Sequence, residues 1–296
     1  MVSRLLPALL LCVCLSAIAP TPARADPPIW RVRDADTEMV LFGSVHALPE
    51  GIEWRTPALE QALAEAELVV FEILTPKTET EEEAMFMPFL RYFLGDVPLS
   101  QTVSAETFAR IQAAGEAQGF PIEALDQMRP WAAAMMLSMG AEEELGRLSE
   151  LGVDTQIEQA LPEGRRTEAL DTDALMHSVL AALAATTDAD GEAMLIEVLD
   201  ALADMDEANA LDLGIELAWA SGDVAAILEE VQMMKTEAPQ LYQVLLIDRN
   251  TAWMPALIRM MQTETRVVVI AGAAHMVGED GIPALLRQAG YDVEGP

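Results

Sequence analysis

The sequence holds three histidines, and two of them, His46 and His275, stand in the same local setting. Met39–His46 reads MVLFGSVH and Val267–His275 reads VVVIAGAAH. Each is an apolar run closing in G-x-x-H, and each is followed by a glycine-containing loop, ALPEG and then MVGEDG. A third apolar run, Leu68–Ile73 (LVVFEI), carries a single charge, Glu72. A carboxylate in such a run costs several kcal/mol unless it is paired or bound to a cation. Two imidazoles and one carboxylate facing a cleft form a donor set for a divalent metal such as Mn, Co or Zn, with positions left open for water. A metal so held lowers the pKa of bound water and polarises a scissile carbonyl. His46 and His275 are therefore candidate ligands, and Glu72 a ligand or the general base that takes the water's proton. The bland alternatives are hydrogen-bonded strand-end histidines and a salt-bridged Glu72.

For this chemistry to occur, residues more than two hundred positions apart must reach one rim. Met39–Ser44, Leu68–Ile73 and Arg266–Ala271 read as continuous apolar strands, the pattern of parallel strands covered on both faces. In an α/β sheet ligands collect at the carboxyl ends of strands, and glycines there let the backbone turn sharply. Ile29–Arg33 and Tyr291–Glu294 are further strand candidates, and Thr167–Leu170 a short one. Between them the spacing is helical. Ser104 caps a helix closing near Gly119, Pro130 opens one from Trp131 to about Arg147, and Asp154–Leu161, Asp173–Ala185, Gly191–Met205, Glu207–Ala220, Asp223–Lys235 and Pro239–Met261 follow. The expected fold is α/β: a central, largely parallel sheet formed by N- and C-terminal strands, with a large helical insertion over roughly residues 80–262. Residues 26–296 are expected to form one domain.

Other residues have possible roles at such a rim. Arg249 and Asn250 begin a long helix, an arrangement suited to donating hydrogen bonds to a developing oxyanion or a substrate carboxylate. An exposed salt bridge and a helix cap explain them equally well. Ser44, between Gly43 and His46, is placed to support the loop, and no G-x-S-x-G elbow marks a serine nucleophile. His177 sits in ALMHSVL among apolar neighbours, a structural setting, with lining the cleft as the alternative. The pairs Met135-Met136, Met233-Met234 and Met260-Met261 would suit copper or haem handling if they clustered at one surface, and core packing otherwise.

Composition narrows the classes. Forty-nine Asp+Glu against 17 Lys+Arg give a net charge of −32, which repels phosphate backbones and excludes nucleic-acid binding. An apolar content of 52% excludes an acidic disordered chain. At the N-terminus, Arg4, the apolar run Leu5–Ala19 and Ala23-Arg24-Ala25 have the three parts of a secretory signal, so residues 1–25 are expected to be removed. Both cysteines, Cys12 and Cys14, leave with it, and a periplasmic or secreted protein without disulfides and without a transmembrane segment in its mature chain remains.

Through these residues the chain resembles the TraB/GumN family, whose animal relatives are the Tiki metalloproteases. The matching pieces are Ile29–Arg33, LFGSVHALPEG, VVFEI, MRPWAAAMML (Met128–Leu137), ELGVDTQIEQAL (Glu150–Leu161), LLIDRNTAWMPAL (Leu245–Leu257) and the final VVVIAGAAHMVGEDGIPALLRQAGYDVE. The resemblance implies an α/β core with the G-x-x-H histidines and an acidic residue at a divalent-metal site. It carries over to His46, Glu72, His275 and the Arg249-Asn250 pair, with Asp154 in the GVD element. It departs at Glu168–Thr172 (EALDT), where Asp171 stands in place of a family Leu-Glu pair. The expected function is a periplasmic, metal-dependent hydrolase of peptides or small molecules. The alternative is a non-catalytic binding protein for peptide, metal or haem in the same cleft, and a helical interaction scaffold with a vestigial site is a third reading.

Overall fold

Valine, isoleucine and phenylalanine runs with no interior charge suit strands buried on both faces, and they build the sheet of the computed structural model, which describes residues 26–208 and 213–296. The proposed signal segment lies outside the described residues. The strands are β1 (Ile29–Arg33), β2 (Glu38–Ser44), β3 (Leu68–Phe71), β4 (Arg166–Ala169), β5 (Arg266–Gly272) and β6 (Asp292–Glu294), in the spatial order β4-β3-β5-β2-β1-β6. β4, β3, β5 and β2 run parallel to one another, while β1 pairs antiparallel with both β2 and β6. The sheet is mixed, mostly parallel, and drawn from the two ends of the chain.

Register aligns the functional ends. Ser44 pairs with Gly272 across β2 and β5, and Phe71 pairs with Ile270 across β3 and β5. Three adjacent strands therefore finish at one level, with β5 in the middle. All four residues of β3 and the last six of β5 are buried, whereas β1 alternates between half-buried and buried, as an antiparallel strand with one solvated face does.

Apart from the edge strand β4, helices fill the span between β3 and β5. One core lies on the sheet and includes Trp253, Leu257, Met260 and Met261 from the Arg249–Thr263 helix together with Val268, Ile270 and Trp219. A second joins helices Ala105–Ala117, Pro130–Glu144 and Asp188–Ala208 through Ile111, Leu137 and Leu195. Ser104 caps the first of these by accepting from the Thr107 N–H, as expected. The long helix expected over Pro239–Met261 is interrupted: Pro239–Tyr242 is α-helical, Gln243–Asp248 is a π-turn, and Arg249–Thr263 is α-helical again. Among the described residues no helix is long and apolar enough to cross a membrane. The methionine pairs do not share one setting, since Met260 and Met261 are core residues while Met135 and Met233 are exposed on separate helices.

Candidate active site

Each site residue sits just past a strand end or at a helix start. His46 follows β2, and its loop is pinned where the Val153 N–H donates to the Val45 carbonyl at 2.9 Å. Gly152 makes this approach possible, because a Cβ there would collide with the His46 carbonyl oxygen. The same contact starts the Val153–Ala160 helix, whose first turn carries Asp154. Asp154 Oδ2 lies 2.8 Å from His46 Nδ1, and Asp154 Oδ1 accepts from Ser44 Oγ at 2.6 Å. A carboxylate only accepts, so His46 Nδ1 carries the proton and Nε2 is turned inward. That hydrogen bond holds the His46 imidazolium up to about 9, against partial burial and with help from the charges of Asp154 and Glu72.

Glu72 lies one residue beyond β3 and is 7% exposed. Its Oε1 accepts from the Gly272 N–H at 2.6 Å and its Oε2 accepts from Arg249 Nη2 at 2.5 Å. Burial alone would raise this carboxyl, but the positive charges on His275, Arg249 and His46, with the Gly272 N–H, hold it down to about 2.

His275 lies in the short 3₁₀ segment Ala273–Met276 that follows β5, and it is 4% exposed. Its Nδ1 is 2.6 Å from Asn250 Oδ1 and its Nε2 is 3.2 Å from Arg249 Nη1. A guanidinium can only donate, so Nε2 accepts and Nδ1–H donates to Asn250. Burial depresses this imidazolium to about 4, prevailing over the pull of Glu72. The indole of Trp253 packs against the ring, centroids 4.6 Å apart.

Arg249 closes the cluster. Nη2 reaches Asp171 Oδ2 at 2.8 Å as well as Glu72, and the guanidinium lies over the Trp253 ring at 4.7 Å. Asp171, almost fully buried, also accepts from Trp253 Nε1 at 2.8 Å. Its carboxyl is pushed up by burial, against the opposing pull of Arg249. Asn250 spends its remaining amide on the Asp280 carbonyl at 2.8 Å, so both its ends bind protein. The π-turn immediately before Arg249 is a common feature of functional sites.

The structure thus gathers His46, Glu72, His275, Arg249, Asn250, Asp154 and Ser44 at one rim. His177 is elsewhere, tilted against Phe89 with ring centroids 4.7 Å apart, and its Nδ1 is 3.2 Å from the Tyr92 hydroxyl. Asp171, which the sequence resemblance left without a role, is the buried partner of Arg249. Its signal was available: EALD, like VVFE, is a short strand running into an acid, and Asp171 N–H donates to the Glu72 carbonyl at 2.9 Å.

The metal question divides into position and chemistry. Among the described residues, no group of three or more His, Cys, Asp or Glu is arranged to hold a metal ion. Arg249 Nη1 also takes the His275 Nε2 lone pair. In chemistry the donors suit a divalent cation. Both histidines tie Nδ1 to an acceptor and turn Nε2 toward Glu72 Oε1, at 3.8 Å for His46 and 3.7 Å for His275, the outer-shell pattern of ligating histidines. Donors about 2.1 Å from a shared ion lie at most about 4.2 Å apart, so neither spacing forbids sharing. Gly272 leaves the space clear: a Cβ there would stand 3.3 Å from both Glu72 Oε1 and His46 Nε2.

The TraB/PrgY/gumN family profile matches residues 28–295. An uncharacterized protein of Escherichia coli strain K12, YbaP, is 24% identical over 189 residues, covering 64% of this chain and 68% of YbaP. The YbaP protein of Shigella flexneri gives the same identity and coverage. No solved structure matches the chain.

Proposed function

Because the chain belongs to the TraB/PrgY/gumN family, we propose that it is a hydrolase acting on peptides, with His46, Glu72, His275 and Arg249 as its reaction centre. One observation carries this reading: the two imidazoles turn their Nε2 atoms to a single carboxylate oxygen, beside a guanidinium, at the carboxyl ends of three adjacent strands. With the His46 ring deprotonated at Nε2 and the Arg249 hydrogen bond to His275 Nε2 given up, His46 Nε2, Glu72 and His275 Nε2 would hold a divalent cation, Mn, Co or Zn. When bound, such an ion supplies Lewis acidity to a scissile carbonyl and acidifies water.

The chain's own groups divide the remaining work. Glu72, buried and bonded through both oxygens to Gly272 N–H and Arg249, is the ligand of that cation or the general base that takes the water's proton. Asp154 and Ser44 fix the His46 ring, and Asn250 fixes the His275 tautomer. Asp171 and Trp253 hold Arg249 in place beside the proposed cation site, where its guanidinium would add positive charge for a developing oxyanion. Export to the periplasm or outside the cell belongs to the same proposal, since it removes the N-terminal segment and leaves Asp26 as the first residue.

The experiment is peptide cleavage by the purified protein with Mn, Co or Zn, beside His46→Ala. Cleavage that requires one of these ions and is lost in the variant is expected. No cleavage with any ion, or cleavage unchanged in His46→Ala, overturns the proposal. The guanidinium on His275 Nε2 favours one rival, capture of a ligand without turnover, and ligand binding in the absence of cleavage would select it.

A further inference from the structure

The loop that leaves His46 does more than return the chain to the sheet. From Leu48 to Arg55 it folds against the Ser149–Leu151 turn and the Val153–Ala160 helix, paired through the Leu48–Leu148 bridge, and encloses a cavity of about 410 Å³. Leu48 is only two residues from His46, at most about 7 Å along the chain, and Gln156 on the opposite wall is two residues from Asp154. Cavity and reaction centre therefore share their supports.

The lining has two characters. Leu48 and Trp54 are buried, and Ile52 and Leu151 are half-buried, giving an apolar wall. Glu50 and Glu53 are exposed at the mouth, and neither forms an ion pair or hydrogen bond among the described residues. The cation already present, Arg55, is engaged: its guanidinium lies 4.6 Å from the Trp54 ring centroid and donates to Glu60 at 2.7 Å. It already covers this face of the indole, so an incoming cation is left to Glu50 and Glu53. Two carboxylates without partners above an apolar wall match a side chain with a long aliphatic stem and a positive end.

We propose that this cavity is a substrate subsite for a lysine or arginine side chain, the stem lying on Leu48, Ile52 and Trp54 and the charged end between Glu50 and Glu53. The assignment rests on the peptidase reading for its biological meaning, because it supplies the substrate class: peptides with a basic residue beside the scissile bond.

The test separates the two. With 5-fluorotryptophan in the protein and the Trp54 signal identified by Trp54→Phe, ¹⁹F spectra are followed during titration with the N-acetyl methylamides of lysine, arginine, norleucine and glutamate. Lysine and arginine derivatives should saturate a Trp54 shift. Norleucine and glutamate derivatives should bind at least about threefold more weakly, and Glu50→Gln/Glu53→Gln should weaken lysine binding roughly fivefold, as expected for exposed charge pairs. Equal binding of norleucine and lysine, stronger binding of glutamate, or an unmoved Trp54 signal overturns the subsite. Cleavage is scored separately. Saturable lysine binding without cleavage leaves the subsite and removes the peptidase, whereas cleavage indifferent to basic residues removes the subsite and leaves the peptidase.

Discussion

Replacing Asp154 by asparagine removes one charge from the rim while keeping a side chain of the same shape beside His46 and Ser44. The hydrogen bond from His46 Nδ1 to Asp154 is the main cause of an imidazolium held up to about 9. In Asp154→Asn the His46 titration should fall from about 9 toward the ordinary value of 6.5. Taken whole, that difference converts at about 1.4 kcal/mol per tenfold to roughly 3 kcal/mol. The His46 side chain is 64% exposed, however, and screening of an exposed pair leaves about 1 kcal/mol of stability at stake. A raised imidazolium stabilises the fold fully below pH 6.5, and that contribution is lost as pH rises through 9. The variant should thus be less stable than the native protein at pH 6 and nearly equal to it at pH 10. The assay is a ¹H–¹⁵N titration of the imidazoles, with His46 assigned by His46→Gln, alongside urea unfolding at both pH values. A native His46 midpoint near 6.5, or one that does not move in the variant, refutes the reasoning.

Two further outcomes follow from the same geometry. Gly272→Ala should fold with a loss of no more than about 1 kcal/mol, since Gly272 has ordinary extended-type angles and its neighbours must yield by only a few tenths of an ångström. It should nevertheless weaken Co²⁺ binding, measured by calorimetry, by about tenfold or more, because the new methyl enters the space between Glu72 and His46. On the acid side, His275 and Glu72 are both depressed, so each contributes stability that is present above its ordinary value and lost on acidification. His275 loses its share between pH 6.5 and about 4, and Glu72 between 4.5 and about 2. Circular dichroism during acid titration should show His275→Gln reducing the loss between pH 6.5 and 4, and an identical acid profile for that variant would count against the buried neutral imidazole.

The sheet was legible because its signal is local. Apolar runs of four to seven residues at Met39, Leu68 and Arg266 reveal strands without reference to the rest of the chain, and the G-x-x-H endings point to their carboxyl ends. Glu72 stood out for the same reason, as a lone charge in an apolar run. What escaped the sequence depends on contacts across long stretches of chain. Asp154 reaches His46 over 108 positions and Arg249 reaches Asp171 over 78, and neither bond leaves a periodic trace. Asn250 looked like a hydrogen-bond donor at a helix start. It is the second residue of the helix that resumes after the π-turn, where its side-chain carbonyl oxygen sets the His275 tautomer. A π-turn is a change of one residue per turn, too small to show in the 3.6-residue pattern.

His46, Glu72 and His275, brought together from three strand ends, are proposed to act as one cation site. Its most direct test is Co²⁺ titration followed by visible absorption, in the native protein, His46→Ala and His275→Ala. One equivalent should saturate a ligand-field band in the native protein, and that band should be absent from both variants. Equal Co²⁺ binding in all three proteins would contradict the claim.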